Sequence, residues 1–133
     1  MRFSSLVVAL SMLVSSPPAA IADALSAEQE SFVTVTLASL VVPIKCDGYE
    51  IIDGGLRRFG DAAGVVDGDR LFRAVIAAFS AANGGEYDRG DLVPEVTRKL
   101  NEVGVQIPKD GKFKSFCQKW GGMLIANHVA QRK

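Results

Sequence analysis

The sequence predicts an all-α fold: a small bundle of about five helices, held by one disulfide and following a cleaved signal peptide. Three observations predict it. Apolar residues recur at helical spacing in several segments, helix-start and helix-stop residues flank those segments, and two cysteines follow an export signal. We therefore expect residues 1–22 to be a signal peptide and residues 23–133 to form a single helical domain.

The N-terminal segment has the pattern of a secretory signal peptide. Arg2 precedes a short apolar run at residues 6–14, and two prolines and several small residues follow. Cleavage is predicted after Ala22, with cleavage after Ala24 as the alternative. A membrane anchor is disfavoured, because the apolar run is shorter than the roughly 18 residues needed to span a bilayer. We expect the protein to be periplasmic or secreted, without a stable membrane anchor.

The two cysteines, Cys46 and Cys117, are expected to form a disulfide. Exported chains meet an oxidising environment, and each cysteine has only one possible partner. The alternative is a nucleophilic Cys117 with His128 as its base. The intervening residues of a straight helix would separate them by about 16 Å, whereas a base must approach its nucleophile to about 3 Å. The sequence thus favours a structural disulfide and predicts no catalytic residue, cofactor or metal site.

The first helix is expected to begin at Ser26 and to end at Pro43. Gln29 follows Ser26 by three residues, which is the spacing of a capping box. The apolar stripe of this helix consists of Val33, Leu37, Leu40 and Ile44. Other faces of the helix are also apolar, so it is in addition a possible interface of a homodimer.

The second helix is predicted in the segment around the glycine pair Gly54-Gly55, for which close packing is favoured over a hinge. Its expected apolar face consists of Tyr49, Ile52, Leu56 and Phe59. A second glycine pair, Gly121-Gly122, lies in the last helix, and both interpretations stay open for it. The last helix carries the apolar stripe Phe113, Phe116, Cys117, Trp120, Leu124 and Val129.

The third and fourth helices have the clearest start signals. Asp67 or Asp69 is the expected N-cap of the third helix, and Asp91 that of the fourth, where Pro94 falls in the first turn. The apolar face of the third helix is predicted to consist of Leu71, Phe72, Val75, Ile76 and Phe79.

Charge is unevenly distributed along the chain. Residues 23–108 carry 8 basic and 14 acidic residues, whereas residues 109–133 carry 6 basic residues and 1 acidic residue. The basic residues of this last region are Lys109, Lys112, Lys114, Lys119, Arg132 and Lys133. They either pack on the acidic body or form a surface that contacts a partner. The near-neutral total gives no indication of nucleic-acid binding.

These observations predict a non-enzymatic protein that binds another, unidentified protein through its basic C-terminal surface. One alternative is a small-ligand pocket formed by Tyr49, Trp120 and His128. Another is a chaperone that loosens when acid protonates its 15 carboxylates, or a protein of the immunity or inhibitor type. The layout, with Cys46-Asp47-Gly48-Tyr49 early and a late cysteine, resembles acid-stress chaperones of the HdeA type and amidase-immunity proteins of the Tai type. That resemblance assigns no functional residue.

Overall fold

Helix α1, Ala27–Lys45, begins at the capping box that the sequence predicts. In the computed structural model, which describes residues 24–133, the Ser26 hydroxyl accepts a hydrogen bond from the Gln29 amide at 3.1 Å. The Gln29 side-chain oxygen accepts one from the Ser26 amide at 2.9 Å. These bonds satisfy two amides that have no partner within the helix. The predicted signal peptide, residues 1–22, lies outside the described residues.

The end of α1 differs from the prediction. The helix does not end at Pro43 but continues to Lys45, and the Cys46 amide still donates to the Val42 carbonyl at 2.8 Å. A proline removes its own amide from the hydrogen-bond ladder, but the amides after it can still donate, as that of Cys46 does. Ile44 and Lys45 therefore belong to the last turn of α1.

Four more helices follow in the described residues, so the predicted number of five is confirmed. They are α2 at Gly55–Ala62, α3 at Gly68–Ala82, α4 at Pro94–Gly104 and α5 over residues 114–126. Within α5, a π-helical stretch at Cys117–Gly121 separates two α-helical parts, Lys114–Phe116 and Gly122–Ala126. A 3-10 turn at Arg89–Asp91 precedes α4.

Two short strands correct the all-α prediction to a mostly helical fold. Strand β1, Tyr49–Ile51, pairs antiparallel with β2, Ala130–Arg132, and Tyr49 lies opposite Arg132. The sequence predicted helix around Tyr49, but α2 begins only at Gly55. Strand formation depends on the partner strand, and here the partner stands at the other end of the described chain.

The apolar surface of α1 is explained by its central position. The helix contacts α2, α3, α4, α5 and β1. Its buried residues are Phe32, Val33, Val35, Thr36, Leu37, Ala38, Val41 and Val42. The chain itself therefore covers most of the surface from which a homodimer interface was predicted, and the homodimer stays a prediction.

The core-facing side of α3 differs in part from the prediction. Leu71 and Val75 are fully buried, whereas Phe72 is exposed. The rest of the buried face consists of Ala74, Ala77 and Ala78, small residues that leave room for the neighbouring helices. Asp67 occupies the N-cap position, but its side chain caps no amide.

The N-cap of helix α4 lies two residues after the predicted one. Pro94 is the first helical residue, as expected, but the N-cap is Val93 and not Asp91. Asp91 belongs to the preceding 3-10 turn, and its carboxylate lies 3.8 Å from the Arg73 side chain. Asp91 therefore interacts with Arg73 on α3 and does not cap α4.

The predicted disulfide between Cys46 and Cys117 is confirmed, with 5.6 Å between the two Cα atoms. It joins the residue after α1 to the π-helical stretch of α5. Trp120, in the same stretch, is buried, and its ring packs on Phe116 with 4.7 Å between the centroids. The disulfide and the buried Trp120 therefore both hold α5 against the rest of the fold.

One member of each glycine pair packs tightly. A Cβ atom on Gly55 would lie 2.8 Å from the carbonyl oxygen of His128. A Cβ atom on Gly121 would lie 2.8 Å from the Tyr49 hydroxyl and closer still to its ring. Real Cβ atoms almost never come this close to another heavy atom, so α2 can approach the turn before β2, and α5 can approach β1, only at a glycine.

Candidate functional site

The three residues of the predicted ligand pocket lie in different environments. Tyr49 and Trp120 are buried in the core, and the Tyr49 hydroxyl donates to the Cys117 carbonyl at 3.3 Å. His128 is exposed, at the turn between α5 and β2, with a φ of 59°. The two aromatic side chains have almost no surface for a ligand to contact, so a pocket at these residues would require the core to open.

The six basic residues of the C-terminal region are all exposed. They are distributed over the segment after α4, over α5 and over β2. Within residues 24–133, the side chains of these six residues form no ion pair with a carboxylate. Arg132 instead places its guanidinium 4.7 Å from the centre of the Tyr49 ring. The alternative of a basic region packed on the acidic body is therefore not supported by the contacts.

A groove of about 760 Å³ opens between α1, α3 and α4, and we call it the α1–α3–α4 groove. The C-terminal halves of these helices form its walls, together with the segment that follows α4. Its floor consists of Leu37, Val41, Ala78 and Leu100, which are all buried. The volume lies within the 300–1,000 Å³ that is typical of ligand sites.

The rim of the α1–α3–α4 groove carries exposed apolar side chains. Ile44, in the last turn of α1, is 66% exposed, and Val105, directly after α4, is 78% exposed. The only described large apolar residue with a comparable exposure is Val66, at 67%, and it does not line the groove. Apolar surface therefore continues from the floor of the groove to its outer edge.

The charged side chains that line the groove are both positive. They belong to Lys45, at the end of α1, and to Lys109, and no aspartate or glutamate lines the groove. The Lys45 ammonium also lies 5.5 Å from the centre of the Phe113 ring. Lys109 is also one of the six basic residues of the predicted C-terminal contact surface, so this surface adjoins the groove.

A second depression of about 340 Å³ differs in charge. It lies beside α2 and α3, and both signs of charge line it, with Arg57, Asp61 and Asp69 at its walls. The Arg57 and Asp69 side chains approach each other to 4.0 Å. The positive and negative side chains of this depression thus offset each other, whereas the charged side chains of the α1–α3–α4 groove are all positive.

The α1–α3–α4 groove was not predicted from the sequence. Ile44 was predicted to belong to the apolar stripe of the first helix, and no role was predicted for Val105. An available signal was the apolar Val105 directly after Gly104, where α4 ends. An apolar residue outside the periodic pattern of a helix has no assigned place in the core.

Residues 24–133 contain neither a metal-binding cluster nor a membrane-spanning helix. This part of the chain holds no group of three or more His, Cys, Asp or Glu side chains placed to bind a metal ion. Both cysteines are in the disulfide. In the same residues, no helix is long and apolar enough to cross a membrane.

Comparisons of the chain with protein-family models, with curated proteins and with solved structures give no significant match.

Proposed function

We propose that this protein is an exported, non-enzymatic binding protein that holds a segment of another protein in the α1–α3–α4 groove. The observation that carries the proposal is the pair of exposed apolar side chains, Ile44 and Val105, at the rim of an apolar groove. Single exposed apolar residues are common on protein surfaces. A contiguous exposed apolar patch, especially one bordered by polar residues, is typical of an interaction site.

Burial of the two rim side chains would favour binding substantially. Complete removal of a valine or isoleucine side chain from water is worth about 1.5–3 kcal/mol. Ile44 is 66% exposed and Val105 is 78% exposed, so most of this free energy is available to a partner. A partner that covers both would gain on the order of 2–4 kcal/mol before the costs of association.

The lysines favour an acidic partner. Lys45 and Lys109 are at the groove, and Lys112 and Lys114 are exposed on the adjoining basic surface. A surface of one sign steers oppositely charged partners and disfavours wrong ones. The groove thus supplies apolar contact, and the lysines supply selectivity.

The disulfide supports the expectation that the protein acts outside the cytoplasm. Disulfides persist in oxidising compartments, such as the periplasm or the extracellular medium. The bond between Cys46 and Cys117 also holds the end of α1, which carries Ile44 and Lys45, next to α5. An oxidising environment would therefore maintain one wall of the proposed binding site.

Site-specific photo-crosslinking tests the proposal in cells that express the chain naturally. A photo-crosslinking amino acid replaces Val105, at the groove, or Val66, as the matched control. Both are exposed valines in turns, at 78% and 67% exposure. We expect a discrete protein adduct from position 105, no such adduct from position 66, and loss of the adduct when Lys45→Glu and Lys109→Glu are combined. Equal adducts from both positions, or none from position 105, would contradict the proposal.

A further inference from the structure

We propose that the occupant of the α1–α3–α4 groove is a two-turn amphipathic helix with acidic residues at its flanks. This inference rests on the proposed function, because it names the kind of segment that a protein partner would present. Three properties of the groove lead to it: its length, the state of its backbone groups, and its charge.

The walls of the groove have the length of two helical turns. On α1 the lining runs from Leu37 to Lys45, and on α4 from Thr97 to Gly104. At 1.5 Å per residue, these walls are about 12 Å and about 10.5 Å long, and one turn has a pitch of 5.4 Å. A helix of this length presents apolar side chains at positions i, i+4 and i+7 on one face. An extended segment of the same length has only about three residues.

The backbone of the groove favours a helical occupant over an extended one. An extended segment needs exposed amides and carbonyls to pair with, as at the edge of a sheet. The groove walls are helices, whose amides already pair within each helix, and only carbonyls of the last turns lack a partner there. Directly after α4, the Ile107 amide also has a partner, since it donates to the Gly104 carbonyl at 3.1 Å. A helix brings its own backbone hydrogen bonds and needs none from the groove.

The rim favours a helix over a single lipid chain. An acyl chain on the floor formed by Leu37, Val41 and Leu100 would leave Ile44 and Val105 in water. A helix with its side chains is about 10–12 Å wide, which is enough to cover the rim. Carboxylates at its flanks would lie near Lys45 and Lys109, with no acidic residue of the groove to repel them.

Gly104 gives a way to block the groove without disturbing the core. It lines the groove, and a Cβ atom there would meet no other atom within 4 Å. Gly122 is the matched control, because it is also helical and has equally open space at its Cβ position but lies on α5. Gly104→Leu should fill the groove, and Gly122→Leu should leave it unchanged.

The test uses hydrocarbon-stapled ten-residue helices as probes, because unstapled peptides of this length are not helical in water. The set varies the apolar residue at i, i+4 and i+7 and carries either glutamates or lysines at the flanks. Fluorescence anisotropy measures the Kd for the full mature chain with its disulfide intact. We expect the glutamate helices to bind, Gly104→Leu to weaken them at least tenfold, and Gly122→Leu to have no effect.

Charge reversal provides an independent readout. The combined Lys45→Glu and Lys109→Glu change should weaken the glutamate helices about tenfold and strengthen the lysine helices. A tenfold change corresponds to about 1.4 kcal/mol. Equal affinity for both kinds of helix, or no binding by any helix of the set, would overturn the inference. Saturable binding of laurate that Gly104→Leu abolishes, without helix binding, would also overturn it in favour of an anionic amphiphile.

The two proposals fail in different ways. If position 105 crosslinks to a protein in cells but no stapled helix binds, the groove binds a protein segment that is not helical. The proposed function then stands and this inference falls. If the glutamate helices bind as expected but position 105 gives no adduct in cells, the helix specificity of the groove stands and the proposed function falls.

Discussion

Gly121→Ala should destabilise the protein, although alanine is a better helix former than glycine. The added Cβ atom would lie 2.8 Å from the Tyr49 hydroxyl and closer still to the ring carbons. Tyr49 is buried and belongs to β1, so the ring cannot move without disturbing the strand or the core. The substitution therefore separates two effects, helix propensity and packing, that act in opposite directions.

The magnitude follows from three contributions. Overpacking of a buried site costs about 1–3 kcal/mol. Displacement of Tyr49 also loses its hydrogen bond to the Cys117 carbonyl, which is worth about 1 kcal/mol. Replacement of glycine by alanine within a helix gains about 1 kcal/mol. The net expected decrease in the free energy of unfolding is about 1–3 kcal/mol.

Urea unfolding with the disulfide intact measures this decrease, and fluorescence of Trp120, the only tryptophan, reports it. The matched control is Gly122→Ala, where the new Cβ atom meets open space. It should be neutral or stabilising by up to about 1 kcal/mol. If Gly121→Ala is as stable as the unchanged protein, or if both variants lose equal stability, the packing argument is wrong and a hinge at this pair becomes the better interpretation.

Three further predictions concern the ends and connections of the helices. Ser26→Ala removes the capping box and should lower the free energy of unfolding by about 1 kcal/mol, as measured in urea. Reduction of the disulfide between Cys46 and Cys117, which are 71 residues apart, should lower the free energy of unfolding by about 4 kcal/mol. If the free energies of unfolding with and without reductant differ by less than about 1 kcal/mol, this prediction is wrong. Glu30→Gln breaks a 3.3 Å ion pair with Lys99 and should cost less than about 1 kcal/mol, and the difference should shrink in 1 M salt.

The features that were predicted correctly depend on residues close together in the sequence or, for the disulfide, on there being only one possible pairing. The capping box needs only Ser26 and Gln29, which are three residues apart, and it forms as predicted. Pro94 begins α4 because its missing amide has no partner in a first turn. The disulfide followed because each cysteine had a single possible partner.

The features that the sequence predicted wrongly depend on distant residues. Nothing near Tyr49 reveals that Ala130–Arg132 will pair with it, so the segment was interpreted as helix. Phe72 has the right spacing for the core face of α3, but the alanines beside it form the buried face. Proline typically ends a helix, but α1 continues for two residues beyond Pro43, and the next residue, Cys46, forms the disulfide.

The α1–α3–α4 groove shows most clearly why a site of this kind escapes periodicity. Leu37 and Ile44 belong to the same stripe of α1 and are equivalent by spacing, but Leu37 is buried and Ile44 is 66% exposed. Ile44 lies in the last turn of α1 and lines the groove together with Gly104, the last residue of α4. Such a residue continues the apolar stripe of the core but remains exposed at the surface. In this chain that combination occurs beside two lysines, Lys45 and Lys109, and for this reason the proposed binding site is the groove and not the basic residues alone.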